Sequence, residues 1–174
     1  RHKLPPGEYI ALGGEEPDIK QASFRLMGDA LDPDVITRRT GLTPQVAHRK
    51  GDPRPMTDYR RREGLAAPPP WRTGIWRLHS EVALARTGHR LDDHIGVLLE
   101  QIEPVAATVK GFCAEQNLQA DFFCGYHMHQ WNSSVGLSAE TLTRVAALGA
   151  AIFLDVYGPD PDDEERIVVV EDDS

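Results

Sequence analysis

The sequence predicts an α+β fold: a two-layer sandwich in which about three helices lie on one face of a four- or five-stranded, mostly antiparallel sheet. Three observations carry this expectation. Strand-like and helix-like segments follow one another along a chain of 174 residues, a length that suits one domain. Side chains in a strand alternate with period two, and each expected strand separates into an apolar and a polar set by parity. The helices have single apolar stripes, enough to cover one side of such a sheet and leave the other open.

Residues 1–20, rich in Pro, Gly and Glu, read as an arm with at most one short strand at 9–12. A first strand alternates over 22–28. Asp32 and Pro33 then start a helix, the carboxylate as N-cap and Pro at the first helical position, and Gly41 suits its end. Residues 44–73 contain six prolines and no sustained periodicity, so they form a long basic insert with a short strand near 46–48. A strand at 75–80 comes next. From Leu91 to Phe112 one apolar stripe recurs at steps of three and four, which Pro104 must kink or divide. Residues 121–130 read as a strand that carries His127 and His129. Ser138 caps a further helix closed by Gly149, and the last strand spans 151–157. The domain therefore covers 21–158, and 159–174 is an acidic tail in which 167–170 could add a strand to a sheet edge.

Parity assigns Phe24, Leu26, Trp76, Leu78, Phe122, Cys124, Tyr126, Met128, Ile152, Leu154 and Val156 to the helical side. It assigns Ser23, Arg25, Arg77, His79, His127, His129, Asp155 and Tyr157 to the open side. One register slip would invert any strand.

Composition narrows the function classes. Hydrophobic residues make up 40% and charged residues 26%, as in soluble globular proteins. No apolar run approaches the ~20 residues that span a bilayer, and the first residues lack a secretory apolar core. Arg1 rather than Met opens the chain, which leaves room for a trimmed upstream piece. Two cysteines, Cys113 and Cys124, form neither a disulfide framework nor a metal motif, so a reduced cytoplasmic protein is expected. The net charge is −8, yet residues 49–72 hold seven basic against three acidic residues, and 155–174 hold nine acidic against one basic. The tail is thus a solvated or partner-binding extension.

Candidate sites follow from these placements. Two imidazoles on one strand face can share a metal if neighbouring strands supply the rest. His79, His127, His129 and Asp155 are the candidate zinc ligands, against the alternative of hydrogen-bonded histidines on a polar sheet. No other cofactor is expected. Arg25, Arg49, Lys50, Asp52, Trp71, Arg77 and Tyr157 are the candidate partner-binding residues, since Trp and Arg dominate binding hot spots. Arg49, Lys50 and Arg25 could also meet a phosphate. There is no phosphate-cradling glycine loop, and net acidity opposes nucleic-acid binding. Neither cysteine, nor Ser80, Ser133 or Ser134, stands in a nucleophile context.

The segments 23–28, 31–37 and 41–44, then His48-Arg49-Lys50-Gly51-Asp52, the Trp76 strand and 137–142 leading into 148–150, resemble the bacterial domain-of-unknown-function family numbered 4279. The resemblance spans about 22–158 and implies an α+β domain with an immunity or interaction role; it brings no catalytic residues. The expected function is a non-enzymatic interaction module, in one form a toxin neutraliser, binding a protein partner through the polar sheet face and basic loop. The alternatives are a metal- or small-ligand-binding enzyme using the histidines, and a phosphate-ligand binder using the basic loop. A monomer and a homodimer are equally expected.

Overall fold

A computed structural model of the chain describes residues 18–129 and 133–158. Most of the arm with its strand at 9–12, residue 130, the acidic tail and the strand at 167–170 lie outside the described residues. In chain order the elements are β1 (Ile19–Gly28), α1 (Pro33–Thr40), β2 (Val46–His48), α2 (Asp58–Arg62), β3 (Gly74–His79), α3 (Leu91–Ile102), α4 (Ala106–Gln116), β4 (Gln119–His127), α5 (Ala139–Leu148) and β5 (Ala151–Tyr157). The five strands form one sheet in the order β2-β3-β1-β4-β5. β1 pairs antiparallel with both β3 and β4, and β2 with β3; β5 runs parallel to β4. A parallel pair needs a crossover, and α5 supplies it.

Local signals set most element ends. The Asp32 carboxylate accepts the amides of Asp34 and Val35 at 3.0 and 3.3 Å, and Pro33 occupies the first turn. Gly41 closes α1 at φ 74°, a left-handed conformation that glycine adopts without a Cβ penalty. The Ser138 hydroxyl accepts the Thr141 amide at 3.1 Å, and Gly149 (φ 72°) ends α5. Pro104 divides the long apolar stripe: a 3₁₀ turn, Glu103–Val105, separates α3 from α4. The insert holds a helix that periodicity does not reveal. α2 is five residues long, capped by the Thr57 hydroxyl, and buries no side chain, so it has no apolar stripe to read.

All four longer helices bury against one side of the sheet. Phe24, Leu26, Trp76, Leu78, Phe122 and Cys124 from the strands meet Ile36, Ile95, Leu98, Phe112, Val145 and Leu148 from the helices in one cluster. The Trp76 indole N–H donates to the Thr37 hydroxyl at 3.0 Å, fastening β3 to α1. Ser80 and His94, both fully buried, tie β1 to α3. The Ser80 hydroxyl accepts the Ala22 amide at 3.0 Å and lies 2.9 Å from His94 Nδ1. The other imidazole nitrogen, Nε2, is buried with no partner among the described residues.

Two expectations about the strands are corrected. β4 ends at His127, so Met128 and His129 lie beyond it and strand parity does not govern them. Leu154 and Val156, assigned by parity to the buried side, are 43% and 48% exposed. β5 is an edge strand, and α5 turns its buried residues toward α3 and so leaves most of β5 uncovered.

Candidate functional site: the open face of the sheet

Cross-strand partners point to the same face, so the registers compose the open face directly. One row runs Val46, Arg77, Arg25, Asp121 and Ala151; the next runs His79, Ser23, Phe123 and Phe153. Further along lie Gln21, Gly125 and Asp155, then Ile19, His127 and Tyr157.

Arg25 and Asp121 form the centre of this face. The guanidinium donates through Nε and Nη2 to the two carboxylate oxygens at 2.7 and 2.9 Å, the fork-to-fork geometry that makes arginine–carboxylate pairs strong. Asp121 is 2% exposed although no helix covers it, because its neighbours on the face close over it. The Arg25 guanidinium also lies 4.2 Å from the Phe123 ring centroid, and that of Arg77 lies 5.9 Å from it. Among the described residues no carboxylate contacts Arg77. Its Nη2 donates to the Ser23 hydroxyl at 2.8 Å, while its buried Nε has no partner. Burial and the adjacent Arg25 guanidinium push its pKa below the ordinary arginine value. The centre of the face is therefore two guanidinium groups near one aromatic ring, with one buried carboxylate held by Arg25 on the side away from Arg77.

The candidate metal ligands are not gathered. His79 pairs with Ser23, and Ser23 with Phe123, so His79 sits two strands across and four residues along from His127, about 16 Å by strand spacing and rise. Zinc holds its nitrogen ligands about 2 Å away, which that separation exceeds. The two positions share a face, but strand order separates them. His127 instead stacks on Tyr157 with centroids 4.3 Å apart, and the Tyr157 hydroxyl donates to Asp155 at 2.5 Å. The His129 amide donates to Asp18, which also accepts from the Tyr126 and Ser133 hydroxyls. Burial opposes ionisation of Asp18, but these bonds outweigh it and hold its pKa below the usual carboxylate value. Among the described residues no group of three or more His, Cys, Asp or Glu side chains is placed to hold a metal ion. His79 keeps a depressed pKa, first from burial and then from Arg77, and its buried Nε2 lacks a partner.

Arg49 and Lys50 of the basic loop are paired with carboxylates outside it. Arg49 donates to Asp32 and Asp34 at 2.7 and 2.6 Å, and Lys50 to Asp29 at 2.5 Å. Asp52 accepts the Arg49 amide at 2.7 Å. Trp71 stacks on His48 at 3.9 Å and carries the Arg54 guanidinium at 4.3 Å. These contacts close the loop onto the start of α1. Arg25 belongs to the middle of the sheet and forms no single anion site with Arg49 and Lys50. Asp121, Phe123 and Ser23 were not assigned a role by sequence reasoning, yet they complete the centre of the open face. A lone carboxylate inside an apolar strand was the available signal for Asp121, because burial of a charge demands a partner. Burial pushes the Cys113 thiol up and that of Cys124 up to about 12, so both are protonated at neutral pH.

The family model for Domain of unknown function (DUF4279) matches residues 17–159, from the start of β1 to the end of β5. The chain belongs to this family. No curated protein and no solved structure matches it. The matched span of this DUF4279 domain contains the whole sheet and both halves of the long helical stripe. Among its described residues no helix is long and apolar enough to cross a membrane.

Proposed function

We propose that this DUF4279 domain is a protein-interaction module that binds an acidic segment of a partner protein on the open face of its sheet. Toxin neutralisation is one role such a module serves. The observation that carries the reading is the pair of guanidinium groups on Phe123 with one buried carboxylate to balance them. Arginine beside an aromatic ring is the composition of binding hot spots, and Arg77 brings a half-buried charge that no carboxylate among the described residues contacts. A partner carboxylate there gains charge-assisted hydrogen bonds and the low local dielectric of a half-buried site. Unlike the sequence expectation, this reading gives Arg49 and Lys50 no part, because they already hold Asp29, Asp32 and Asp34.

The test is co-expression with the products of neighbouring genes, followed by affinity measurement on any complex. Arg77→Glu is expected to weaken binding at least tenfold and to reduce its salt dependence, whereas Arg49→Ala leaves both unchanged. The proposal is lost if no neighbour product binds, or if Arg77→Glu binds as well as the parent chain.

A further inference from the structure

Among the described residues β5 is a sheet edge whose one charge is Asp155. Natural edges are blunted by lysine, proline, bulges or short length. β5 instead runs seven residues, Ala-Ile-Phe-Leu-Asp-Val-Tyr, and among the described residues it pairs only with β4. It is apolar on both faces: Phe153 is 54% and Tyr157 46% exposed on one, Leu154 43% and Val156 48% on the other. At the opposite edge β2 is three residues long. A surface of this composition marks a docking site.

The strand is complementary to itself. We propose that two copies of the chain join edge to edge through β5, antiparallel about a two-fold axis at Leu154, into one continuous sheet. In that register Leu154 meets Leu154 of the second copy, and Ile152 meets Val156, giving an unbroken apolar row on the helical side. On the open side Asp155, the one charge of the strand, falls opposite Phe153 rather than opposite itself. Tyr157 falls opposite Ala151. The exposed Tyr157 of each copy thus packs over Ala151 of the other, and two-fold symmetry makes the contact twice. The stack on His127 and the bond to Asp155 already fix the Tyr157 ring, so little freedom is lost on docking.

The area is sufficient. An aromatic side chain half exposed still offers about 100 Å². With Phe153, Leu154, Val156 and the strand backbone added, each copy approaches the ~600 Å² per partner of the smallest stable interfaces. Closed two-fold pairing is also the commonest form of self-association, since it uses the same patch on both copies.

Light scattering on the full chain is expected to show a mass twice the 19.3 kDa of one copy. Leu154→Lys and Val156→Lys, each at an exposed position, are expected to give folded monomers, and Tyr157→Ala to weaken association by roughly tenfold. The register has its own readout in a Cys113→Ser background. Leu154→Cys sits at the axis and is expected to form a disulfide-linked dimer on mild oxidation. Val156→Cys lies about 13 Å from its own copy, beyond disulfide reach, and is expected to stay unlinked. A monomer at every accessible concentration, a dimer indifferent to both lysine variants, or linkage through residue 156 rather than 154 overturns the proposal.

Discussion

Replacing Arg25 by methionine removes the guanidinium and keeps much of the stem's volume, while Asp121 stays 2% exposed with its bidentate partner gone. A buried carboxylate stripped of its partner costs about 3 to 5 kcal/mol. The 17% exposure of the Arg25 side chain admits some water and puts the expected cost near the lower end, about 3 kcal/mol. Loss of the guanidinium over Phe123 adds about 0.5 kcal/mol. In a chain of this size each kcal/mol moves the midpoint about 2–4 °C, so Arg25→Met should melt roughly 7–14 °C lower than the parent. The assay is thermal and urea unfolding followed by circular dichroism, with the double variant Arg25→Met/Asp121→Leu beside the single one. Removing both charges leaves no unpaired carboxylate at this position, and the double variant should recover most of the loss. A cost below about 1 kcal/mol for the single variant would mean that the carboxylate is solvated. A double variant no better than the single one would show that the damage comes from packing rather than from charge. Either result refutes the electrostatic account of this face.

Two further outcomes are expected. His48, His79 and His94 all have pKa values below the ordinary 6.5, each chiefly through burial, so the unfolded chain binds more protons than the folded one once the pH drops below that value. Stability should therefore be level just above pH 6.5 and decline as the pH falls below it; a melting temperature that holds or rises between pH 7.5 and 5.5 contradicts the assignment. Gly74 and Gly96 should respond oppositely to alanine in urea titrations. A Cβ on Gly74 meets the Gly28 carbonyl oxygen at 2.9 Å and Leu31 Cβ at 3.0 Å, costing about 1–3 kcal/mol, whereas nothing lies within 4 Å at Gly96 inside α3, where alanine should add about 0.5–1 kcal/mol. Equal effects at the two sites would show that space is not what decides them.

What the sequence determined by itself was whatever short-range chemistry controls. Asp32, Pro33 and Gly41 delimit α1 because caps and positive φ act within one turn. Pro104 divides the long stripe because it lacks an amide hydrogen, and the parity of β1, β3 and most of β4 is legible because one of their faces is buried. Strand order and lateral neighbours belong to the tertiary structure. Arg25 and Asp121 are 96 residues apart, and nothing local in either segment announces their pairing. The sheet order sets His79 two strands from His127, although both stand on the face that parity assigned them. Asp29, Asp32 and Asp34 pair with Arg49 and Lys50 on the surface, which composition alone could not reveal. β5 has a core strand's alternation, yet it ends at the sheet edge because burial depends on which helix lies above it, and α5 leans on α3 instead. Periodicity records which side chains share a face, and only packing decides whether that face meets protein or water.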